Sequence, residues 1–182
     1  FSSRILGFPG GILLYGSGFK SFSSPTKYEY INAIKKGLNA YWIARSFSEY
    51  LRLKKQYGLV LLKWTPSYFL RVCQSSEWHI SHNISDIFPV KIINVKVINY
   101  WHGEPIKYIG YDSDVELEWI QKKLSSGEKL PYDLVDLYLV PSTRLQKRLV
   151  SAFRIDSHRV LVKETALTKF LQQHDEFDKS AA

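Results

Sequence analysis

The sequence predicts an α/β fold with a mainly parallel sheet, and three observations support this. Short apolar runs alternate with amphipathic stretches, and the connections between them are short. The run from Leu59 to Leu62 is apolar throughout, as in a strand that is covered on both faces. Ser24-Pro25 and Thr65-Pro66 each place a helix-capping side chain before a proline, which suits the first position of a helix.

The individual elements follow from this alternation in chain order. Strands are predicted at residues 11–15, 40–44, 59–62, 78–84, 91–100 and 134–140. One helix is predicted from Val115 to Leu124, and the others begin at the capping residues Ser24, Ser46, Thr65 and Ser142. Three of these helices are predicted to end at glycines, because glycine readily adopts the left-handed conformation of a helix end; these are Gly37, Gly58 and Gly127.

Two helices carry apolar stripes that are predicted to face the core. In the helix after Ser46, Phe47, Tyr50 and Leu51 share one face, and charged residues occupy the opposite face. In the helix after Thr65, the stripe comprises Phe69, Val72 and Cys73. The only cysteine of the chain is therefore predicted to be a small core residue.

Composition narrows the class of protein. The 182 residues fit one domain, predicted over residues 1–172 and followed by a polar tail over 173–182. A single cysteine excludes a disulfide framework and a zinc site built from clustered cysteines. No apolar run approaches the roughly 20 residues that span a bilayer. The formal charge of +8 suits an anionic partner, such as a phosphate-rich polymer, an anionic membrane or nucleic acid, or it only maintains solubility.

One segment at the end of a predicted strand combines several reactive or ligand-binding groups. Residues 99–107 read Asn-Tyr-Trp-His-Gly-Glu-Pro-Ile-Lys. His102 can take a proton near neutral pH, and Lys107 can meet a phosphate as a point charge. Gly103 permits close approach of the backbone to a ligand, and Pro105 stiffens the loop. Because ligands bind beyond the carboxyl ends of parallel strands, this position favours a functional site. A structural histidine in a turn is the alternative.

The same segment resembles a family signature. Residues 101–112 read Trp-His-Gly-x-Pro-Ile-Lys-x-Ile-Gly-x-Asp, which is similar to the Trp-His-Gly-Thr-Pro-Leu-Lys-x-x-Gly-x-Asp motif of the CDP-glycerol glycerophosphotransferases. The resemblance extends in order over roughly residues 11–165, including the turn Ser81-His82-Asn83 and the strand that leads to Ser142. It implies a Rossmann-like domain that forms the N-terminal, acceptor-side half of a GT-B-type two-domain transferase. By the same resemblance, we expect the donor-binding C-terminal domain to lie outside this chain.

The resemblance also implies roles for individual residues. His102 matches the family's essential histidine, a base for the acceptor hydroxyl, which attacks the β-phosphorus of CDP-glycerol or CDP-ribitol and releases CMP. The implied substrate-binding residues lie around it: Trp101, Gly103, Pro105, Lys107, Asp112, His82 and Ser142. Asp112 is expected either to orient His102 or to hold the loop through backbone amides. Neither a metal site nor a cofactor is expected.

Two departures from the family pattern qualify this prediction. Glu104 replaces the usual threonine, and we expect this carboxylate to contact Lys107 or to mark a different acceptor. Residues 163–168 read Lys-Glu-Thr-Ala-Leu-Thr, where the family has a Gly-Tyr-Pro-Arg-Asn-Asp turn that leads toward the second domain. The sequence has no methionine, so we expect the natural start to lie upstream. We also expect the natural protein to continue past Ala182 and the present chain alone to be inactive.

The implied partners are a CDP-polyol donor, a polyol-phosphate or glycolipid acceptor and an anionic membrane surface. The implied setting is teichoic-acid-like polymer synthesis in the cytoplasm, peripheral on the inner face of the cell membrane. Two alternatives stay open: a GT-B glycosyltransferase that uses a nucleotide sugar, and a non-enzymatic anion-binding module. A transferase should gather His102, Lys107 and Ser142 at one sheet edge. Nucleic acid is not an expected partner, because no helix-turn-helix, RNP-type or zinc-finger pattern occurs.

Overall fold

A seven-stranded sheet, parallel throughout, forms the centre of the molecule. The computed structural model describes residues 11–19 and 22–172. The strands are β1 (Ile12–Tyr15), β2 (Ala40–Ala44), β3 (Val60–Leu62), β4 (Ser75–Ile80), β5 (Lys96–Asn99), β6 (Leu137–Val140) and β7 (Val160–Val162). Their order across the sheet is β3-β2-β1-β4-β5-β6-β7, and every neighbouring pair is parallel. The predicted α/β class is therefore confirmed. The predicted polar tail lies outside the described residues.

Five helices that lie wholly within the described residues cover the two faces of this sheet. They are α1 (Ser24–Lys35), α2 (Phe47–Tyr57), α3 (Pro66–Gln74), α4 (Asp114–Ser125) and α5 (Thr143–Phe153). The apolar residues of α1 and α2 pack in one core cluster around Trp42, and those of α3, α4 and α5 pack in another around Trp78. No helix in the described ranges is long and apolar enough to cross a membrane.

Local capping signals correctly located most helix starts. The side chains of Ser46, Thr65 and Ser142 accept hydrogen bonds from the backbone N–H groups three residues later. The first helix differs from the prediction by one residue, because Ser23 occupies the N-cap and Ser24 already belongs to the helix. These bonds join residues close in sequence, which explains why the sequence pattern could identify them.

The predicted ends of three strands were wrong, because competing local hydrogen bonds end or delay the strands. Strand β4 stops at Ile80, since the N–H groups of Ser81 and His82 donate to the Asp86 carboxylate instead of a neighbouring strand. Strand β6 begins only at Leu137, after a 3₁₀ turn over Pro131–Leu134. Strand β5 covers only Lys96–Asn99 of the predicted apolar run. The three-residue strand β7 was not predicted.

The predicted apolar faces of two helices were only partly correct: Val72 of α3 is buried and Tyr50 of α2 packs against the core, but the other residues of both faces are exposed. In α2, Phe47 is 62% exposed and Leu51 is 53% exposed, whereas Leu53 is fully buried. In α3, Phe69 and Cys73 are exposed. The buried residues of α3 are Val72 and the preceding aromatic residue Tyr68, whose hydroxyl donates to the Ile87 carbonyl at 2.6 Å. Because apolar residues occur on more than one side of these helices, the direction of packing decides which of them are buried.

The chain connectivity creates a crevice at one edge of the sheet. From β1 the chain moves outward through β2 and β3, and then returns to place β4 on the other side of β1. Such a reversal separates the loops that follow the two central strands, and ligands of α/β proteins bind in the crevice between them. The loops that follow β1, β4, β5 and β6 all reach this edge.

Candidate active site

His102 lies in the loop after β5, in a defined orientation. Its ring Nδ1 is 3.0 Å from the Ser81 carbonyl oxygen. A carbonyl only accepts hydrogen bonds, so Nδ1 carries the proton and Nε2 keeps its lone pair. The preceding residue, Trp101, has a left-handed backbone (φ 52°), which is uncommon for a side chain of this size and turns the chain sharply before His102.

Asn99, at the end of β5, connects this loop to the loop after β4. The side chain of Asn99 is fully buried; its Oδ1 accepts from the Trp101 N–H at 2.7 Å, and its Nδ2 donates to the His82 carbonyl at 2.9 Å. One amide group therefore fixes both loops. This role of Asn99 was not predicted, although an asparagine at the start of a predicted site loop is a sequence signal for such a contact.

His82 lies directly against His102. The two imidazole rings are stacked, with centroids 4.0 Å apart and planes 3° from parallel. His82 Nδ1 is hydrogen-bonded to the Ser81 hydroxyl at 3.1 Å. Partial burial lowers the pKa of the His82 ring, and the charge of a protonated His102 lowers it further. The structure thus brings these two predicted residues together, and we refer to them as the histidine pair.

A buried carboxylate holds the backbone around the histidine pair. Asp86 is 1% exposed, and its carboxylate accepts hydrogen bonds from the N–H groups of Ser81 and His82 at 3.0 and 2.9 Å. The guanidinium of Arg45 lies 3.6 Å from the same carboxylate. Neither residue was predicted. Arg45 comes from the loop after β2, so sequence spacing gave no sign of this contact.

Removal of this carboxylate is expected to destabilise the fold. Asp86→Ala leaves two buried N–H groups without a partner, and we expect the free energy of unfolding to fall by on the order of 3 kcal/mol. The measurement is urea denaturation followed by circular dichroism. Asp156→Ala, at an exposed position, is the matched control and should change stability by less than about 0.5 kcal/mol. Equal losses in the two variants would contradict a structural role for Asp86.

The remainder of the loop is attached to α5. Glu104 forms an ion pair with Arg144 at 3.0 Å, so the expected contact between Glu104 and Lys107 was wrong. The Lys107 side chain is exposed, and its backbone carbonyl accepts from the Arg148 guanidinium at 3.2 Å. Gly103 is exposed, with φ 145° and open space around its Cα.

Asp112 attaches the end of the loop to the same helix. Its Oδ1 accepts from the Ser151 hydroxyl of α5 at 3.1 Å. This contact fixes the carboxylate on α5, so of the two expected roles for Asp112, orientation of His102 was wrong. Asp112 holds the loop through a side chain of α5 and not through backbone amides, so the second expected role was wrong as well.

Gly110 makes the closest approach between the loop and α5. Its φ is +57°, and a Cβ at this position would lie 2.1 Å from the carbonyl oxygen of Ala152. We expect Gly110→Ala to lower the free energy of unfolding by about 3 kcal/mol, because both the backbone angle and the contact become unfavourable. Gly127→Ala isolates the cost of the backbone angle, since Gly127 has φ +71° and open space around its Cα. It should lower the free energy of unfolding by about 1 kcal/mol. Urea denaturation measures both, and equal losses would exclude the steric contribution of Ala152.

A cleft of about 300 Å³ opens in front of His102. Its lining includes Trp101, His102, Gly103 and Ser142, together with Thr165 and Thr168 from the segment after β7. The Ser142 hydroxyl also caps α5 by accepting from the Leu145 N–H at 3.1 Å. The Nε1 of Trp101 is buried and has no hydrogen-bond partner within residues 11–19 and 22–172.

The predicted site residues thus divide into two groups. Trp101, His102, Gly103 and Ser142 meet at the cleft, with His82 beside His102, whereas Lys107 and Asp112 lie along α5; Pro105 is partly buried in the loop between them. Over the described part of the chain, no group of three or more His, Cys, Asp or Glu side chains is arranged to hold a metal ion.

A basic groove runs along α5 beside this loop. It has a volume of about 680 Å³ and is lined by Tyr108, Asp112, Thr143, Arg144, Lys147, Arg148 and Ser151. Lys147 and Arg148 follow Arg144 by three and four positions, which places the three cationic residues on one face of the helix. The Arg148 guanidinium also lies 5.9 Å from the centre of the Tyr108 ring. The groove therefore offers several positive charges next to the cleft of His102.

Comparisons with known proteins identify a family and a similar fold. A family model described as CDP-Glycerol:Poly(glycerophosphate) glycerophosphotransferase matches residues 20–175. No curated protein sequence matches the chain. Among solved structures, the wall teichoic acid polymerase TagF is similar, with a TM-score of 0.68 at 17% identity, and the match covers 93% of this chain and 43% of TagF.

Variants of TagF give the same result. A histidine-to-alanine variant has a TM-score of 0.66 at 17% identity, with 98% of this chain and 45% of TagF covered. A histidine-to-asparagine variant soaked with CDPG has a TM-score of 0.63 at 16% identity, and the match covers 90% of this chain and 41% of TagF. The chain thus spans less than half the length of TagF. At such identities the likeness establishes the fold, and the predicted Rossmann-like, GT-B-type class is confirmed.

Proposed function

The chain belongs to the CDP-glycerol:poly(glycerophosphate) glycerophosphotransferase family, and on that premise we propose that it forms the acceptor-side half of a polyol-phosphate transferase. The donor is a CDP-polyol, bound mainly by a second domain, and the product is a teichoic-acid-like polymer. The TagF variant soaked with CDPG supports CDP-glycerol as the donor. The observation that carries the proposal is the fixed orientation of His102, whose Nε2 lone pair is available at a cleft beyond the strand ends.

The reaction requires a base and a well-placed nucleophile. His102 Nε2 takes the proton of an acceptor hydroxyl, and the hydroxyl oxygen forms a bond to the β-phosphorus of the CDP-polyol. The bond from that phosphorus to the oxygen that bridges it to CMP breaks, and CMP leaves with the electron pair. The catalytic contribution of this chain is the proton acceptor and the position of the hydroxyl. Ser142, at the same cleft, binds polar groups of the acceptor.

The basic groove on α5 suits a negatively charged acceptor. A polyol-phosphate chain carries one negative charge per repeat, and Lys147 and Arg148 offer charge-assisted hydrogen bonds to it, whereas Arg144 is already paired with Glu104. The net charge of +8 also favours association with an anionic membrane surface. We propose a peripheral location on the cytoplasmic face of the membrane, where a glycolipid-anchored acceptor would be within reach.

Charge reversal tests the role of this groove. We expect Lys147→Glu combined with Arg148→Glu to raise the KM for an oligo(glycerol phosphate) acceptor about tenfold, because two charge-assisted contacts become repulsive. The kcat at saturating acceptor should change much less, since the base is untouched. Lys54→Glu combined with Lys55→Glu, an adjacent exposed pair on α2, is the matched control. An equal increase in KM in both double variants would indicate a general charge effect.

The reaction class is tested by nucleotide release. The chain is assayed with a donor-binding half, in the same polypeptide or in trans, using CDP-glycerol, CDP-ribitol and UDP-glucose with an oligo(glycerol phosphate) acceptor. We expect CMP release that depends on acceptor and on both halves. Release of UDP alone would favour the nucleotide-sugar glycosyltransferase. Acceptor binding without release from any donor would favour the anion-binding module.

A further inference from the structure

The stacked arrangement of His82 and His102 indicates a role for the second imidazole. Both rings are held by one residue: the Ser81 carbonyl accepts from His102 Nδ1, and the Ser81 hydroxyl is bonded to His82 Nδ1. With 4.0 Å between the ring centroids, the face of His102 toward His82 is fully covered. The orientation of His102 therefore depends on a ring from a different loop.

His82 is itself fixed from several directions. Its backbone N–H donates to Asp86, and its carbonyl accepts from the buried Asn99 amide. Gly18, in the loop after β1, lies so close that a Cβ there would be 2.3 Å from His82 Nδ1. The Phe19 ring meets the imidazole edge-on at 4.8 Å. A ring held in this way is a rigid surface against which another side chain can be positioned.

The surroundings of His82 favour its neutral form. Burial lowers its pKa most, the positive charges of His102 and Arg45 lower it further, and Asp86 opposes them in part. The neutral ring therefore persists at pH values at which an ordinary histidine is partly charged, and it becomes charged only as the pH falls through the lowered pKa. Because two like charges at this separation repel strongly, a proton on one ring disfavours a proton on the other.

We propose that His82 is a positioning residue for the transfer reaction, which holds His102 in the Nδ1–H tautomer and remains neutral so that His102 can take up the acceptor proton. The role rests on the proposed function of His102. The structural part of the inference, a stacked histidine pair in which a charge on His102 disfavours protonation of His82, is independent of the substrate. It is therefore testable in the chain without any donor.

The first experiment is an NMR titration of the chain. Long-range proton–nitrogen spectra of the imidazole rings report the tautomer of each histidine and its protonation with pH. We expect His102→Asn to raise the pKa of His82, because the neighbouring positive charge is gone. We also expect His82→Phe, which keeps a flat ring, to retain the Nδ1–H tautomer of His102, and His82→Ala to yield a tautomer mixture. An unaltered His82 titration in His102→Asn would overturn the coupled pair.

The second experiment is the pH dependence of CMP release in the two-domain assay. We expect His82→Ala to lower kcat about 10- to 100-fold with a smaller effect on the acceptor KM, because His102 is misplaced. His82→Phe should recover about tenfold of that loss and weaken the decline of kcat at low pH, since phenylalanine cannot take a proton. His158→Asn, on an exposed 3₁₀ turn, is the control. Equal losses and unchanged pH profiles in His82→Ala and His82→Phe would overturn the positioning role.

The two experiments separate this inference from the proposed function. If the NMR titration shows the coupled pair but no donor is turned over, the proposed transferase reaction fails while the pair stands. If CMP is released with wild-type kinetics by His82→Ala, the transferase reaction stands and the positioning role is wrong.

Discussion

Replacing His102 with asparagine is expected to lower CMP release from CDP-glycerol by about 10²- to 10⁴-fold. Asparagine can still donate to the Ser81 carbonyl through its amide, but it has no basic nitrogen to accept the acceptor proton. The measurement is the initial rate of CMP release at saturating acceptor, with the chain joined to a donor-binding half. The acceptor KM should change far less than kcat, because the groove on α5 remains intact.

The fold is expected to tolerate this substitution. His102 is exposed, so the free energy of unfolding should change by less than about 0.5 kcal/mol. His158→Asn makes the same chemical change at an exposed position and should keep full activity. Undiminished CMP release in His102→Asn would remove His102 from the mechanism. A large loss of stability would mean that the drop in rate reports unfolding instead of a missing base.

The second large effect is expected in the core. Trp78 is fully buried in β4, at the middle of the sheet, and its indole N–H donates to the Ser75 hydroxyl at 2.7 Å. We expect Trp78→Ala to lower the free energy of unfolding by about 3–5 kcal/mol, because a large cavity forms between the sheet and the helices. Urea denaturation measures the change, and a broadened transition would indicate loss of two-state unfolding.

A matched tryptophan controls for the chemistry of the substitution. Trp119, on α4, is 42% exposed, so Trp119→Ala removes the same atoms from a position that loses much less buried area. We expect Trp119→Ala to lower the free energy of unfolding by at most about 1.5 kcal/mol. Similar losses for Trp78 and Trp119 would contradict the central position of Trp78 in the core.

Local features were accessible from the sequence alone. The alternation of apolar runs predicted the parallel sheet, because strands covered on both faces must be apolar throughout. The caps at Ser46, Thr65 and Ser142 were correct, because each bond spans three residues. Residues 101–112 were also recognised as a family motif from their sequence alone, and this motif identified the family. In each case the determining interactions lie within a short stretch of chain.

The direction in which elements pack was decided only by the tertiary structure. In α3, the choice between Tyr68 and Phe69 as the buried aromatic depends on where the sheet and Ile87 lie, not on the helix period. Strand β4 ends where the Asp86 carboxylate accepts from two N–H groups, although the predicted strand extended to Ile84. Neither outcome is determined by local propensity, since the competing partners are remote or equally apolar.

The candidate site shows the same division. The sequence by itself determined which loop carries His102, because the motif is contiguous and follows a strand. Only the tertiary structure placed His82 face to face with it, paired Glu104 with Arg144 and brought Arg45 to Asp86. These contacts join segments that follow different strands, and they arise because parallel strands bring their carboxyl ends to one edge of the sheet.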